Sequence, residues 1–299
     1  MAIPHETTVK RALANLLRDE LAYCRSLLEF GIGLPDSAVI NQRRLKADTV
    51  TVVMGLYTKA CLSYRAIIHL CEVGLDRSAA PVNRSLFETL LNLTFLLRRR
   101  VSLRRFGFST GKKKPTKTPV NLFGRRLDTE FRTDLYCAFC TLRDQKMVGQ
   151  WPITPGLKRT GKDAHKRLSA LPQPHIAAVG ADWEKALAKA NTCTGLSVAD
   201  YAASLGREFY MLYRSVYAFD SQSVHQSDSL AYLDIDDAAT NISPRWHTSP
   251  EQVRTTLQMA SLMFVGCMRE LNMRLRFGRD VADRISGFAT ALNGWSKAE

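Results

Sequence analysis

Apolar positions recur along most of the chain at intervals of three and four, the spacing that lines one face of a helix. From Glu6 to Phe30, Val9, Leu13, Leu16, Leu17, Leu21, Leu27 and Leu28 keep that spacing, and Gly31, Gly33 and Pro35 follow as stop signals. A second long helix is predicted from Asp36 to Val73. Val52, Val53, Leu56, Ala60, Ile67 and Leu70 form its apolar face, and Gly74 suits the left-handed position just past its end. A third is predicted from Arg77 or Ser78 to Arg100, with Pro81 in the first turn, where no backbone N–H is needed. Its stretch from Leu86 to Leu97 is apolar nearly all round, which marks a central, buried helix.

Farther along, Asp128 to Val148 is again helical, and Pro152, Pro155, Gly156 and Gly161 break the pattern. Shorter helices separated by Pro172 and Pro174 are expected between Lys162 and Ala190. Ser197 and Asp200 form a capping box that opens a helix running to about His225. Residues 227–248 are polar and read as a long, mobile loop. Ser249-Pro250-Glu251-Gln252 then starts a helix to Phe277, and a last one spans Arg279 to Leu292. Alternating strand patterns of useful length and internal repeats are both lacking. The expected fold is all-α: one domain over residues 1–299, built as a multi-helix bundle of long antiparallel helices.

Charge changes this picture at one place. The chain has 42 Lys and Arg against 28 Asp and Glu, a formal net charge of +14. Eleven of the basic residues fall between Arg98 and Arg126, where there is no acid: Arg98, Arg99, Arg100, Arg104, Arg105, Lys112, Lys113, Lys114, Lys117, Arg125 and Arg126. The remaining 31 basic residues face 28 acids, so the body is nearly neutral and carries one basic segment. Gly107, Gly111, Pro115, Pro119 and Gly124 make its middle an irregular loop, inserted at 98–126. Phe106, Phe108 and Phe123 interleave with the charge, as base stacking beside phosphate contacts requires. The segment is either a polyanion-contacting loop or a solvated insertion whose phenylalanines dock on the body.

The remaining composition serves mainly to exclude. At 299 residues the chain is long enough to bury a core without staples, and its 45% apolar content is that of a globular protein. No apolar run approaches the length of a transmembrane helix, and Met1 to Lys10 lacks the apolar core of a secretory signal. Seven cysteines, an odd number with no pairing by spacing, fit a reducing, cytoplasmic setting. No membrane partner and no cofactor are expected.

Several motifs imitate chemistry. Residues 156–162 match the first seven positions of a phosphate-binding loop, but Asp163 stands where Ser or Thr must hold magnesium, and no strand precedes them. Cys137 and Cys140 have zinc-like spacing without a second pair, and read as core residues on a helix face. Asp234, Asp236 and Asp237 read as a solvated loop rather than a cation site. No metal site is expected. Arg159 and His165 have the loose spacing of helical ribonucleases but lie in a Gly-containing, exposed-looking segment.

Two constellations place polar groups on faces otherwise destined for the core. Arg84 and Glu88 are four residues apart and stack on one face of the third helix, where a guanidinium must be paired. They are either part of a site or an ion pair that fixes helix register. Tyr213, Arg214, Ser221 and His225 form the second. At 100° per residue, Arg214, Ser221 and His225 fall within about 20° of one stripe. Arginine can hold a phosphate or a developing oxyanion, and histidine can move a proton near neutral pH. The alternative is that these groups pin helices together.

The run Tyr64-Arg-Ala-Ile-Ile-His-Leu-Cys-Glu-Val-Gly74, then Asn83-Arg-Ser-Leu-Phe-Glu88, and later Tyr213-Arg214 with Ser221-x-x-x-His225, resembles the bacterial family called domain of unknown function 5677. The resemblance covers about Val50 to Ser227, and the basic loop looks like an insertion in it. The helical pattern is also similar to the HEPN ribonuclease and toxin group, whose members often dimerise and serve in phage defence. That group's motif places four to six residues between Arg and His, whereas ten separate Arg214 from His225 here. What the resemblance implies is an RNA-acting protein, a metal-independent ribonuclease toxin or defence effector. His225 would be its general acid or base, and Arg214 its phosphate ligand. Ser221 and Tyr213 would position the phosphate, with Arg84 and Glu88 in support. Its partners would be RNA rather than DNA, a second copy, and a cognate antitoxin or defence component. Arg104, Arg105, Lys112, Lys113, Lys114, Lys117, Arg125 and Arg126 would meet the nucleic acid. The rival readings are a non-enzymatic module binding nucleic acid or an acidic partner, and a sensor with a small anion at Arg84 and Arg214.

Overall fold

A computed structural model describes residues 4–37, 45–98, 101, 127–148, 166, 191–224, 233–235, 242–244 and 249–295. Within them the protein is all-α, with nine helices: α1 (Pro4–Leu16), α2 (Arg18–Ser37), α3 (Ala47–Glu72), α4 (Asp76–Leu97), α5 (Thr129–Val148), α6 (Val198–Leu205), α7 (Arg207–Val224), α8 (Pro250–Leu275) and α9 (Arg279–Trp295). Two three-residue strands, β1 (Leu233–Ile235) and β2 (Ile242–Pro244), pair antiparallel inside the stretch expected to be a loop. No helix among the described residues is long and apolar enough to cross a membrane.

The cap signals act where the sequence puts them. Ser197 Oγ accepts from the N–H of Asp200 at 3.1 Å, and Ser249 Oγ from that of Gln252 at 3.3 Å. Gly74 takes φ 77°, and the bonds Gly74 N–H to Cys71 O and Leu75 N–H to Leu70 O close α3 in a Schellman motif.

Four expected boundaries move, the first being the start of the second predicted helix, which α3 places at Ala47 rather than Asp36. The first predicted helix breaks at Leu17 into α1 and α2. Nor does α2 stop at Gly31, Gly33 or Pro35; it runs through all three to Ser37. Pro35 has no N–H to give the carbonyl of Gly31 four residues back, and the Tyr57 hydroxyl donates to that carbonyl instead, at 2.8 Å. The helix predicted from Ser197 to His225 is interrupted at Gly206, whose φ of 152° a side chain would disfavour, giving α6 and α7.

The chain forms two compact units. The first comprises residues 1–41, 55–93 and 214–299. In it α2 and α9 both pack on α8, and α1 packs on α2. Its core stacks Tyr64 on Phe264, with ring centroids 4.6 Å apart, and the Tyr64 hydroxyl lies 2.7 Å from Ser261 Oγ. Gly31 makes room for this core, since a Cβ there would meet Phe264 Cζ at 2.5 Å.

The second unit comprises residues 42–54 and 94–213. Its core gathers Phe95, Leu96, Phe131, Leu135, Cys193, Tyr201 and Leu205 around a fully buried Arg132. That guanidinium donates to the carbonyls of Phe95 and Arg98 at the end of α4 and to Thr129 Oγ1, while its Nε donates to Asp128 O. Helix ends leave carbonyls without intrahelical partners and carry partial negative charge, so a buried cation there satisfies both needs. All seven cysteines are described, and none is in a disulfide.

Candidate functional site

The third helix of the sequence reading, now α4, does present Arg84 and Glu88 one turn apart, both half-buried. The residue that joins them is Tyr217 on α7. Its hydroxyl donates to Glu88 Oε1 at 3.0 Å, and the Arg84 guanidinium carbon lies 4.3 Å from its ring centroid. Phe87 closes the ring's environment with an edge contact at 6.2 Å. Burial, and then the Glu88 carboxylate, push the Tyr217 phenol well above its ordinary value, while Arg84 pulls the other way. The phenol therefore stays protonated near neutral pH and serves as a donor, not as a base.

On α7, Arg214 is exposed, and it precedes Tyr217 by three residues on the same helix. Helix geometry sets Arg214 and Ser221 about 60° and 40° to the same side of Tyr217. The backbone of Ser221 is in α7, its side chain outside the described structure; His225 lies outside the described residues altogether. Tyr213, in the second unit, is half-buried and stacks on Tyr210 at 6.3 Å. Arg84, Glu88 and Tyr217 thus come together, with Arg214 facing solvent nearby on α7.

The basic segment is described only at its ends. Val101 and Leu127 form an antiparallel bridge, and Arg132 bonds to the Arg98 carbonyl, so the two ends of the insertion are held together. Arg98 itself is committed to the second unit. It donates to Leu205 O at 2.9 Å, lies 3.6 Å from Glu208 and covers the Phe209 ring at 5.0 Å. Arg104, Arg105, Lys112, Lys113, Lys114, Lys117, Arg125 and Arg126 lie outside the described residues, as do Arg159 and His165. Cys137 and Cys140 are half-buried on α5.

Tyr217 was not singled out in the sequence, because a tyrosine at helical spacing reads as core. The available signal was its place one helical turn from both Arg214 and Ser221, about 40–60° off their shared stripe.

Fold and site together define an all-helical protein whose polar cluster is carried on two of its helices. The chain belongs to the family of unknown function DUF5677, whose model matches residues 50–240, more than half its length. That span contains every residue of the cluster. No curated protein and no solved structure matches the chain.

Proposed function

We propose that the protein acts on RNA at the α4–α7 cluster, with the segment from Arg98 to Arg126 as its phosphate-binding arm. The observation that carries this reading is that Arg84, Tyr217 and Glu88 meet half-buried rather than sealed in the core, with Arg214 exposed three residues before Tyr217. A guanidinium fixed over a ring is oriented for bidentate contact with phosphate oxygens. Arg214 supplies a second cation, and clustered charge draws a polyanion to the same molecule.

In the catalytic form of this proposal, His225 takes the proton of a ribose 2′-hydroxyl. The 2′-oxygen attacks phosphorus as Arg214 stabilises the pentavalent phosphate, and the 5′-oxygen leaves with a proton. Ser221 and Tyr213 position the phosphate. The product is a cyclic phosphate, and the step needs no metal. This HEPN-like chemistry would suit a cytoplasmic toxin or defence effector acting as a dimer and held in check by an antitoxin.

The second reading, a binding module without catalysis, is favoured by the way Tyr217 already satisfies Glu88 and covers Arg84. RNA cleavage by the purified chain, abolished in His225→Ala with binding retained, supports the catalytic form. Salt-sensitive binding without cleavage, unaffected by His225→Ala and lost when Lys112, Lys113 and Lys114 become Glu, supports the module. Saturable binding of a small anion that Arg84→Ala removes, with no affinity for RNA, overturns both in favour of a sensor.

A further inference from the structure

A cleft of about 460 Å³ lies between α2 and α9 in the first unit, away from the α4–α7 cluster. It is lined by Ser26, Glu29, Phe30, Leu34, Asp280 and Arg284, with Gly33 and Val281 beside them. Its volume falls in the range of small-molecule sites, roughly 300–1,000 Å³. Two of its walls, Leu34 and Val281, are apolar, Phe30 offers a ring, and Glu29 and Asp280 bring two carboxylates. The Arg284 guanidinium carbon lies 4.7 Å from the Phe30 ring centroid, so one cation of the chain itself already uses the ring face. Asp280 stands in the first turn of α9, where its charge offsets the positive helix end. Glu29, in the body of α2, has no such local use.

We propose that this cleft binds an alkylguanidinium, with Arg284 occupying the cation position in its absence. The carboxylates and the ring face recognise the cationic head, and Val281 accepts the methylene chain. An anion entering the cleft would meet Arg284 but also both carboxylates. The net charge of +14 repels cations from the molecule as a whole, which makes saturable uptake of one a local property.

Gly33 gives a clean block. A Cβ there meets nothing within 4 Å, and the residue lines the cleft on a helix that Gly33→Leu should favour rather than disturb. Titration calorimetry of the full chain with agmatine is expected to show saturable one-to-one binding, with acetyl-Gly-Arg-Gly-amide as the arm that distinguishes a peptide side chain from a free amine. Arg284→Ala is expected to tighten agmatine about five-fold, the order of one exposed cation–ring contact. Glu29→Gln and Phe30→Leu should weaken it, and Gly33→Leu should abolish it while the thermal midpoint holds or rises. Binding that survives Gly33→Leu, binding that weakens in Arg284→Ala, uptake of butyrate in place of agmatine, or no saturable heat would each overturn the proposal.

Discussion

The Tyr217 hydroxyl donates to the Glu88 carboxylate at 3.0 Å across 129 positions of sequence, and the same ring lies beneath the Arg84 guanidinium. One side chain thereby serves the acid through its edge and the base through its face. The two charges are one turn apart on α4, yet both are engaged by a residue of α7.

Tyr217→Phe separates these two roles. The ring stays under Arg84, while the half-buried carboxylate loses a donor, at a cost of about 1 kcal/mol. Tyr217→Ala removes the ring as well, and with it the contacts to Arg84 and Phe87, for a total of about 3–5 kcal/mol. Urea unfolding of both variants measures the difference. Equal losses would mean that the ring contributes nothing beyond what the hydroxyl does.

Arg132 makes a second prediction. Its side chain is wholly buried and donates to the carbonyls of Phe95, Arg98 and Asp128. Arg132→Met keeps the volume but leaves those acceptors buried without their donor, and should cost about 3 kcal/mol or more. Arg132→Lys should recover only part of this, because one ammonium cannot reproduce the planar fork. Hydrogen exchange at the end of α4 should accelerate in both variants. Unchanged protection there would show that the carbonyls are satisfied without the guanidinium.

What was legible in the sequence was local. The caps at Ser197 and Ser249, the glycine end of α3 and the buried run of α4 depend on residues within one or two turns, and they appear as expected. The misplaced end of α2 depends on Tyr57, 26 residues away, whose hydroxyl fills the position that Pro35 vacates. Nothing within α2 reports that. The same holds for the site. The four-residue spacing of Arg84 and Glu88 marks them, whereas the part played by Tyr217 depends on which helix packs beside α4. Arg132, on a helix rich in polar residues, reads as a solvated charge until the end of α4 is seen against it.

Gly31 and Gly33 look equivalent in sequence and should respond oppositely to alanine. A Cβ at Gly31 would lie 2.5 Å from Phe264 Cζ, inside a core where the ring also stacks on Tyr64. Gly31→Ala should therefore destabilise by about 1–3 kcal/mol through overpacking. At Gly33 the added methyl meets nothing, and the helix gains about 0.5–1 kcal/mol from lower backbone freedom in the unfolded chain. Thermal midpoints moving in the same direction in the two variants would contradict this assignment.

Glu72 sets an acid limb to the stability. Its side chain is 10% exposed and receives two donors from Arg25, Nη2 at 2.7 Å and Nε at 3.1 Å, with His69 Nδ1 at 3.3 Å. Burial alone would raise its carboxyl, but Arg25 and His69 together hold it below the ordinary value of 4.5. A carboxyl whose folded value is depressed contributes fully above its unfolded value, and the contribution is lost as pH falls through the folded one. Glu72→Gln should therefore cost about 1 kcal/mol at pH 7, a modest figure because the Arg25 side chain is 57% exposed and can rehydrate. The gap between parent and variant should narrow below about pH 4.5 and close once the parent's Glu72 is protonated. Urea midpoints measured from pH 7 to pH 3 follow it directly. A gap that is constant over that range would assign the loss to packing around the side chain rather than to its charge.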